Sequence, residues 1–416
     1  MTNGAKSFVN VVLDSHAENA AFVWLLRKGA TSEPHYLLKS LAKLDSRIDA
    51  HIDGLRVAAE PGWAICEEAL SWKEPGELFA AGVLALESGD QKKIDKVLQA
   101  AVAAPDAAVG VISAIGWLPF DRIKSVVAKL TASADAILKR IGIGGSAIHR
   151  QFPGPALAEA VTNPDPVLKA RAIKAIGELG RLELVIPAKS HLNSPDPAVR
   201  FWAAWTCVIL SDVPAAVAAL QEIALSGSSF RERAARMAVR RGDGAAWVKK
   251  LQANPKHKRI AALAAGAIGN PANIPWLIDQ MKDLPLSRVA GEAFTMITGA
   301  DLALLDLERK PPEDFESGPN DDPADENVDL DPDDWLPWPD PDLVRKWWAK
   351  NAARFPANMR HLVGKPMDIL NLQRILIEGK QRQRAAAATE LAIRQPGKPL
   401  FEVRMPGFRQ IAILGK

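Results

Sequence analysis

The sequence predicts an all-α protein, a solenoid of stacked helical hairpins, and three observations predict it. Ala-Ile-Gly recurs at positions 114, 175 and 267, separations of 61 and 92 residues that are two and three units of about 31, a period typical of helical solenoid repeats. Asn163-Pro-Asp-Pro166 is followed one unit later by Ser194-Pro-Asp-Pro197, each opening an Ala-rich apolar stretch, and Ala104-Pro-Asp106 opens another. A Pro in the first helical turn loses no hydrogen bond and a preceding polar residue can cap the free amides, so each string starts a helix. A second amphipathic stretch follows each helix, as at 182–192 and 213–225, and ends in Gly, Pro or Ser. The unit is therefore a helical hairpin.

Counted in this phase, the units centre near 83, 114, 145, 175, 206, 237, 267 and 297. Neither helix of a hairpin can bury its apolar face alone, so neighbours must stack. At least six hairpins between about Gly76 and Gly299 are expected in one continuous right-handed array. Before them, 8–30 and 36–59 read as two longer helices, the second carrying Leu38, Leu41, Leu44, Ile48, Ile52 and Leu55 at helical spacing. These form a cap over residues 1–75, and the array occupies 76–310. Gly142-Ile-Gly-Gly-Ser146 lacks the Lys and the preceding strand of a phosphate loop and reads as a turn between helices.

Residues 311–341 are rich in Pro and Asp and poor in apolar side chains, the composition of a linker that cannot fold alone. Residues 313–340 hold 12 acids and no Lys or Arg, which leaves 52 basic against 37 acidic residues in the rest of the chain. Two indoles, Trp335 and Trp338, are expected to dock the end of this segment on the body. Residues 342–416 form a basic module, with helices at 342–354, 368–379 and 382–394. Its last runs, 400–404 and 408–414 around Met405-Pro-Gly407, read as a terminal β-hairpin.

With 416 residues, 48% hydrophobic and 24% charged, the chain has ordinary soluble composition. No apolar run approaches the roughly 20 residues of a spanning helix, and the start lacks the order of a signal peptide, so a cytoplasmic protein is expected. Cys66 and Cys207 stand far apart among apolar neighbours and read as core residues. The seven histidines are scattered without zinc-ligand spacing. Asp329, Asp331, Asp333 and Asp340 imitate calcium-loop positions, but Asp334 replaces the turn Gly and three prolines restrict the loop. No metal or cofactor is expected.

Several strings resemble a bacterial HEAT-repeat family whose genes often stand in type VI secretion gene clusters. They include His16-Ala-Glu-Asn-Ala-Ala-Phe-Val-Trp-Leu-Leu26, His51-Ile-Asp-Gly-Leu-Arg56, Arg200-Phe-Trp-Ala-Ala-Trp205, Gly291-Glu-Ala-Phe294, Leu336-Pro-Trp-Pro339 and Gln381-Arg-Gln-Arg-Ala-Ala386. The resemblance spans nearly the full length. It implies a HEAT-like α-solenoid, no catalytic residues, and an accessory role as immunity protein, chaperone or adaptor for a secreted effector or its machinery.

In HEAT repeats the helix entered through the Asp-Pro turn lines the concave face. Within 199–210, Val199, Trp202, Ala203, Thr206, Cys207 and Leu210 form a core stripe, which leaves Arg200, Phe201, Ala204 and Trp205 on the other side. The repeat adds Lys169 and Lys174 one unit earlier and Arg231 and Arg236 one unit later. A basic, partly aromatic partner-binding face is predicted, with Asp165, Asp196 and Glu232 available to pair with its cations. It suits an acidic protein partner or the chain's own acidic segment, 313–340, docked as an internal ligand; the alternative is nucleic acid. A less favoured third reading is a DNA glycosylase-like enzyme using Trp205, Arg200 and Arg231, for which only Glu178 and Glu232 supply acids.

Overall fold

The computed structural model describes residues 3–313, 315, 317–318 and 331–415, with side chains from Asn10 onward. The acidic stretch thus lies partly outside the described residues, Asp329 included. Two compact units emerge, one of residues 1–211 with 392–416 and the other of 212–391.

The first unit opens with α1 (Asn3–Ala30), α2 (Leu38–Val57) and α3 (Glu60–Ala69). α2 buries Leu38, Leu41, Leu44, Ile48, Ile52 and Leu55, the stripe read from the sequence. Then come α4 (Pro75–Ser88), α5 (Gln91–Ala103), α6 (Ala108–Trp117), α7 (Phe120–Thr131), α8 (Ala136–Ile148), α9 (Ala156–Val161), α10 (Pro166–Leu179), α11 (Val185–Lys189) and α12 (Pro197–Leu210). The even-numbered helices α4 to α12 pack side by side, each on the next. The Asp-Pro signals work as capping chemistry predicts: Asp165 accepts from Leu168 N and Asp196 from Val199 N, both at 2.8 Å.

Gly142, Gly144 and Gly145 lie inside α8 and not in a turn. They are there for closeness. A Cβ on Gly142 would stand 2.3 Å from Thr131 N, and one on Gly144 2.8 Å from Ile112 Cδ1. Backbones approach this tightly only where no side chain intervenes. Gly177 of α10 does the same for Trp205 of α12, whose ring would lie 2.6 Å from an added Cβ.

The second unit repeats the plan with α13 (Pro214–Leu225), α14 (Arg231–Ala238), α15 (Gly244–Gln252), α16 (Lys258–Ile268), α17 (Ile274–Gln280) and α18 (Leu284–Thr298). α16 packs against both α14 and α18. All eight unit centres expected from the period fall inside helices, from α4 to α18. α19 (Pro341–Asn351) follows, then strands β1 (His361–Leu362) and β2 (Lys365–Pro366), α20 (Ile369–Glu378) and α21 (Gln381–Arg394). The antiparallel β1–β2 hairpin closes two helix ends. His361 N donates to Gly269 O at 2.7 Å, and Val363 N to Met296 O at 2.8 Å, satisfying carbonyls that α16 and α18 leave without helical partners.

A small hairpin near the C-terminus is thus present, but at 361–366. The expected terminal strands are not formed: 407–414 is α22 (Gly407–Leu414). A short apolar run after Pro fits either period, and packing decides. α22 lies on α2, and its Gln410 donates to Val403 O at 2.9 Å and Met405 O at 2.6 Å. Arg27 and Asp45 hold the chain just before it. They pair at 2.6 Å, Arg27 donates to the carbonyls of Arg404 and Met405, and Asp45 accepts from Gly407 N.

Both cysteines are buried, and no helix among the described residues is long and apolar enough to cross a membrane. The seam between helices makes a sharp expectation. Gly142→Ala forces Cβ against backbone and should destabilise the protein by about 1–3 kcal/mol. Gly29→Ala, where an added Cβ meets nothing within 4 Å, should be neutral or stabilising by up to about 1 kcal/mol. Urea midpoints of the two variants check the contrast.

Candidate functional site

The inner helix α10 presents Arg171, Lys174 and Glu178 at i, i+3 and i+7, one face of a helix. Arg150, just after α8, and the returning segment with Glu402 and Arg404 complete a cluster in the first unit. Arg171 donates to Glu178 at 2.9 Å, and Lys174 stands 3.5 Å from the same carboxylate. Arg404 grips Glu402 through Nε and Nη2, both at 2.8 Å, and reaches Glu178 at 3.5 Å. Arg150 adds Glu402 at 3.3 Å and Leu400 O at 2.6 Å. Backbone stitches the segment down as well, Leu400 N donating to Glu178 O at 2.9 Å.

Burial sets the protonation of this cluster. Glu178 is 2% exposed, and burial alone would raise its pKa. Arg171, Lys174, Arg150 and Arg404 outweigh that and hold it at about 2. Glu402 is likewise held well below the usual carboxylate range, against its burial, by Arg404 and Arg150. Burial draws the Lys174 amine down to about 7; Glu178 opposes the shift, while Arg404 and Arg171 add to it. Burial thus makes this lysine easier to deprotonate than a free one. Its Nζ sits 4.6 Å from the centre of the Trp202 ring, in cation–π geometry.

A second charged network runs over the inner helices of the second unit. Arg382 on α21 and Arg236 on α14 approach Glu292 on α18, at 2.8 and 3.9 Å. Glu232 lies 3.5 Å from Arg236 and 2.8 Å from Arg259 on α16. Arg259 also takes Asp333 through both oxygens, at 2.7 and 2.8 Å. Burial works against the Arg259 charge, but Asp333 and Glu232 raise its pKa further above its ordinary value. Arg288 on α18 reaches Asp331 at 2.5 Å and Asp333 O at 3.2 Å. Burial would raise the Asp331 pKa, but the Asp333 N–H and Arg288 lower it.

The predicted residues divide accordingly. Lys169 is partly exposed, Arg231 is exposed, and Arg200 donates to Leu192 O at 3.1 Å. Lys174 and Arg236 face carboxylates. Phe201 is 0% and Trp205 8% exposed, so neither belongs to an open face. α12 is buried all round after Arg200, and Trp202 meets Phe201 and Trp205 edge-on at 4.9 and 5.2 Å. The stripe rule fails there because it assumes a helix with a solvent side. Asp165 and Asp196 cap their helices, leaving Glu178 and Glu232 as the acids that pair.

Trp338 is docked at 8% exposure, with Phe315 edge-on at 4.8 Å and the Arg288 guanidinium 4.6 Å away. Trp335 is 64% exposed and is not an anchor. Its φ of +66° is a conformation that costs a bulky residue on the order of 1–3 kcal/mol. The anchors that charge and aromaticity left unnamed are Asp331, Asp333 and Leu336. Asp340 caps α19. The structure also pairs two of the scattered histidines, His16 and His51, with Nδ1 atoms 3.1 Å apart.

The first cluster predicts an acid response. Glu178 has a folded pKa of about 2, below its usual value of 4.5, so its contribution is present above about pH 4.5 and lost as pH falls toward 2. Glu178→Gln should flatten the stability profile between about pH 5 and 2, measured by urea titration at each pH.

Comparison with known protein families finds the same repeat in the middle of the chain. No curated protein matches it. Residues 154–240, which include α9 to α14, match the family model described as HEAT repeats, in agreement with the helical hairpins seen there.

Proposed function

We propose that the chain is a non-catalytic protein-binding scaffold, an immunity, chaperone or adaptor protein that engages a type VI secretion effector or component. The observation that carries the binding part is that the second unit already holds a turn-forming acidic segment, its own residues 331–338, against inner-helix arginines. HEAT-like repeats suit the role, since stacked hairpins make a long surface without a catalytic pocket. The secretion context rests on the sequence resemblance.

Two further features favour protein over nucleic acid. A phosphate backbone is bound by cations available to it, and here Arg171, Lys174, Arg236, Arg259 and Arg288 already face carboxylates. α1 meanwhile exposes Phe22, Leu25 and Leu26 along one side, apolar surface of the kind protein partners cover. The glycosylase-like reading is not favoured, because both of its acids are engaged, Glu178 by Arg171 and Lys174 and Glu232 by Arg236 and Arg259.

Copurification of the tagged full chain from its native host, with partners identified by mass spectrometry, tests the proposal. A stoichiometric protein encoded beside this gene is the expected result. Recovery of nucleic acid alone, lost steeply as salt is raised, would overturn it.

A further inference from the structure

Residues 331–338 lie in the second unit as a short peptide lies in a receptor, turned through 332–335 by the bonds from Asp334 N to Asp331 O and from Leu336 N to Asp333 O. Asp333, Leu336 and Trp338 are buried and Asp331 is half-buried, while Pro332, Asp334 and Trp335 are exposed. Arg259 meets the Asp333 carboxylate as a two-pronged fork, the geometry that selects carboxylates over other acceptors. Arg288 serves two anchors, pairing with Asp331 and lying over the Trp338 ring. Two cations set for carboxylates two residues apart, followed by an apolar and an aromatic seat, define a chemistry and not one particular chain.

The resident segment fills these seats imperfectly. Its chain passes through Trp335 at positive φ, where an L side chain is strained. Beside the seat of Trp338, Nε of Arg288 and Nε and Nη2 of Arg309 are buried without an acceptor among the described residues. Arg309 belongs to the seat, since its backbone N donates to Trp338 O at 2.8 Å. A ligand bringing one more acceptor would use donors that residues 331–338 leave idle.

We propose that this cleft is the docking site for an acidic segment of a partner protein, with two carboxylates two residues apart followed by apolar and aromatic side chains, which displaces residues 331–338. The proposal rests on the protein-binding reading and names the partner's chemistry. The occupant is a polypeptide because the resident one uses side-chain seats and backbone bonds together, Trp338 O accepting from Arg309 N and Asp340 N donating to Leu307 O at 2.8 Å.

The test uses the full chain carrying Asp331→Asn and Asp333→Asn, which loosens the resident segment, and the synthetic peptide Asp-Pro-Asp-Asp-Trp-Leu-Pro-Trp. Calorimetry should show binding at least tenfold tighter than to the unaltered chain, a gain removed by adding Arg259→Gln and Arg288→Gln. No gain, or a gain that survives the arginine changes, overturns the proposal. If the loosened variant does not fold, hydrogen exchange on the unaltered chain decides: saturating peptide should speed exchange of the Arg309 and Asp340 amides, and unchanged rates overturn it. A peptide-free dimer of the loosened variant, seen by light scattering, assigns the cleft to a second copy and also overturns it. Capture of the same host protein by the unaltered chain and by the Arg259→Gln, Arg288→Gln variant removes this site and leaves the scaffold reading standing. Failure of the unaltered chain to capture any protein removes the scaffold reading, whatever the peptide does.

Discussion

A helix of ten to fourteen residues with one apolar stripe is unstable alone in water, and this constraint organises the whole molecule. Each inner helix must lie against the next, closely enough for van der Waals contact along its length. Small residues make that approach possible: Gly82 faces Ala114, Gly144 and Gly145 face Ile112 and Ile115, and Gly177 faces Trp205. The Ala-Ile-Gly strings at 114 and 175 lie in this seam, where Gly116 faces Ile148 and Gly177 faces Trp205, whereas Gly269 of the third ends α16 at positive φ. The seam's regularity comes from packing.

Stacking leaves polar groups unsatisfied at the helix ends and on the inner faces, and the later parts of the chain satisfy them. The β1–β2 hairpin caps α16 and α18. Residues 400–405 cover Glu178 and Arg150, and Arg27 with Asp45 hold the approach to α22. In the second unit, Glu390 receives Arg240 at 2.5 Å and Arg360 at 2.6 Å, all from within that unit. Breaking one partner of such a buried pair leaves an uncompensated charge. The basic excess of the C-terminal residues is therefore largely structural: Arg360, Arg382, Arg404 and Arg409 each bond to the helices, Arg409 through the carbonyls of Gly116 and Trp117.

The same logic separates a docked peptide from a structural clamp. Arg240 and Arg360 converge on Glu390, with Nε of Arg240 buried without an acceptor among the described residues. Arg259, Arg288 and Arg309 instead meet a strained segment that exposes an indole and leaves guanidinium donors idle. Both arrangements bury charge and leave a guanidinium donor idle, but the second adds a strained backbone and an exposed indole, which makes it the natural place for exchange with a partner.

Much of this was legible from residue order. Period, helix starts at Asp165 and Asp196 and the α2 stripe all follow from local chemistry, because caps, turns and helical spacing act within a few residues. The inner-face assignment of Phe201 and Trp205 was not legible, since a helix buried on every side shows no polar face to orient it. Nor was the helix at 407–414, where a short apolar run fits two periods until α2 supplies a surface. Glu178 with Arg404, and Arg259 with Asp333, lie far apart in the chain. The sequence by itself determined the repeat, its phase and its helical hairpins; tertiary structure alone decided which distant charges meet, because a buried ion pair depends on the distance and desolvation that folding creates.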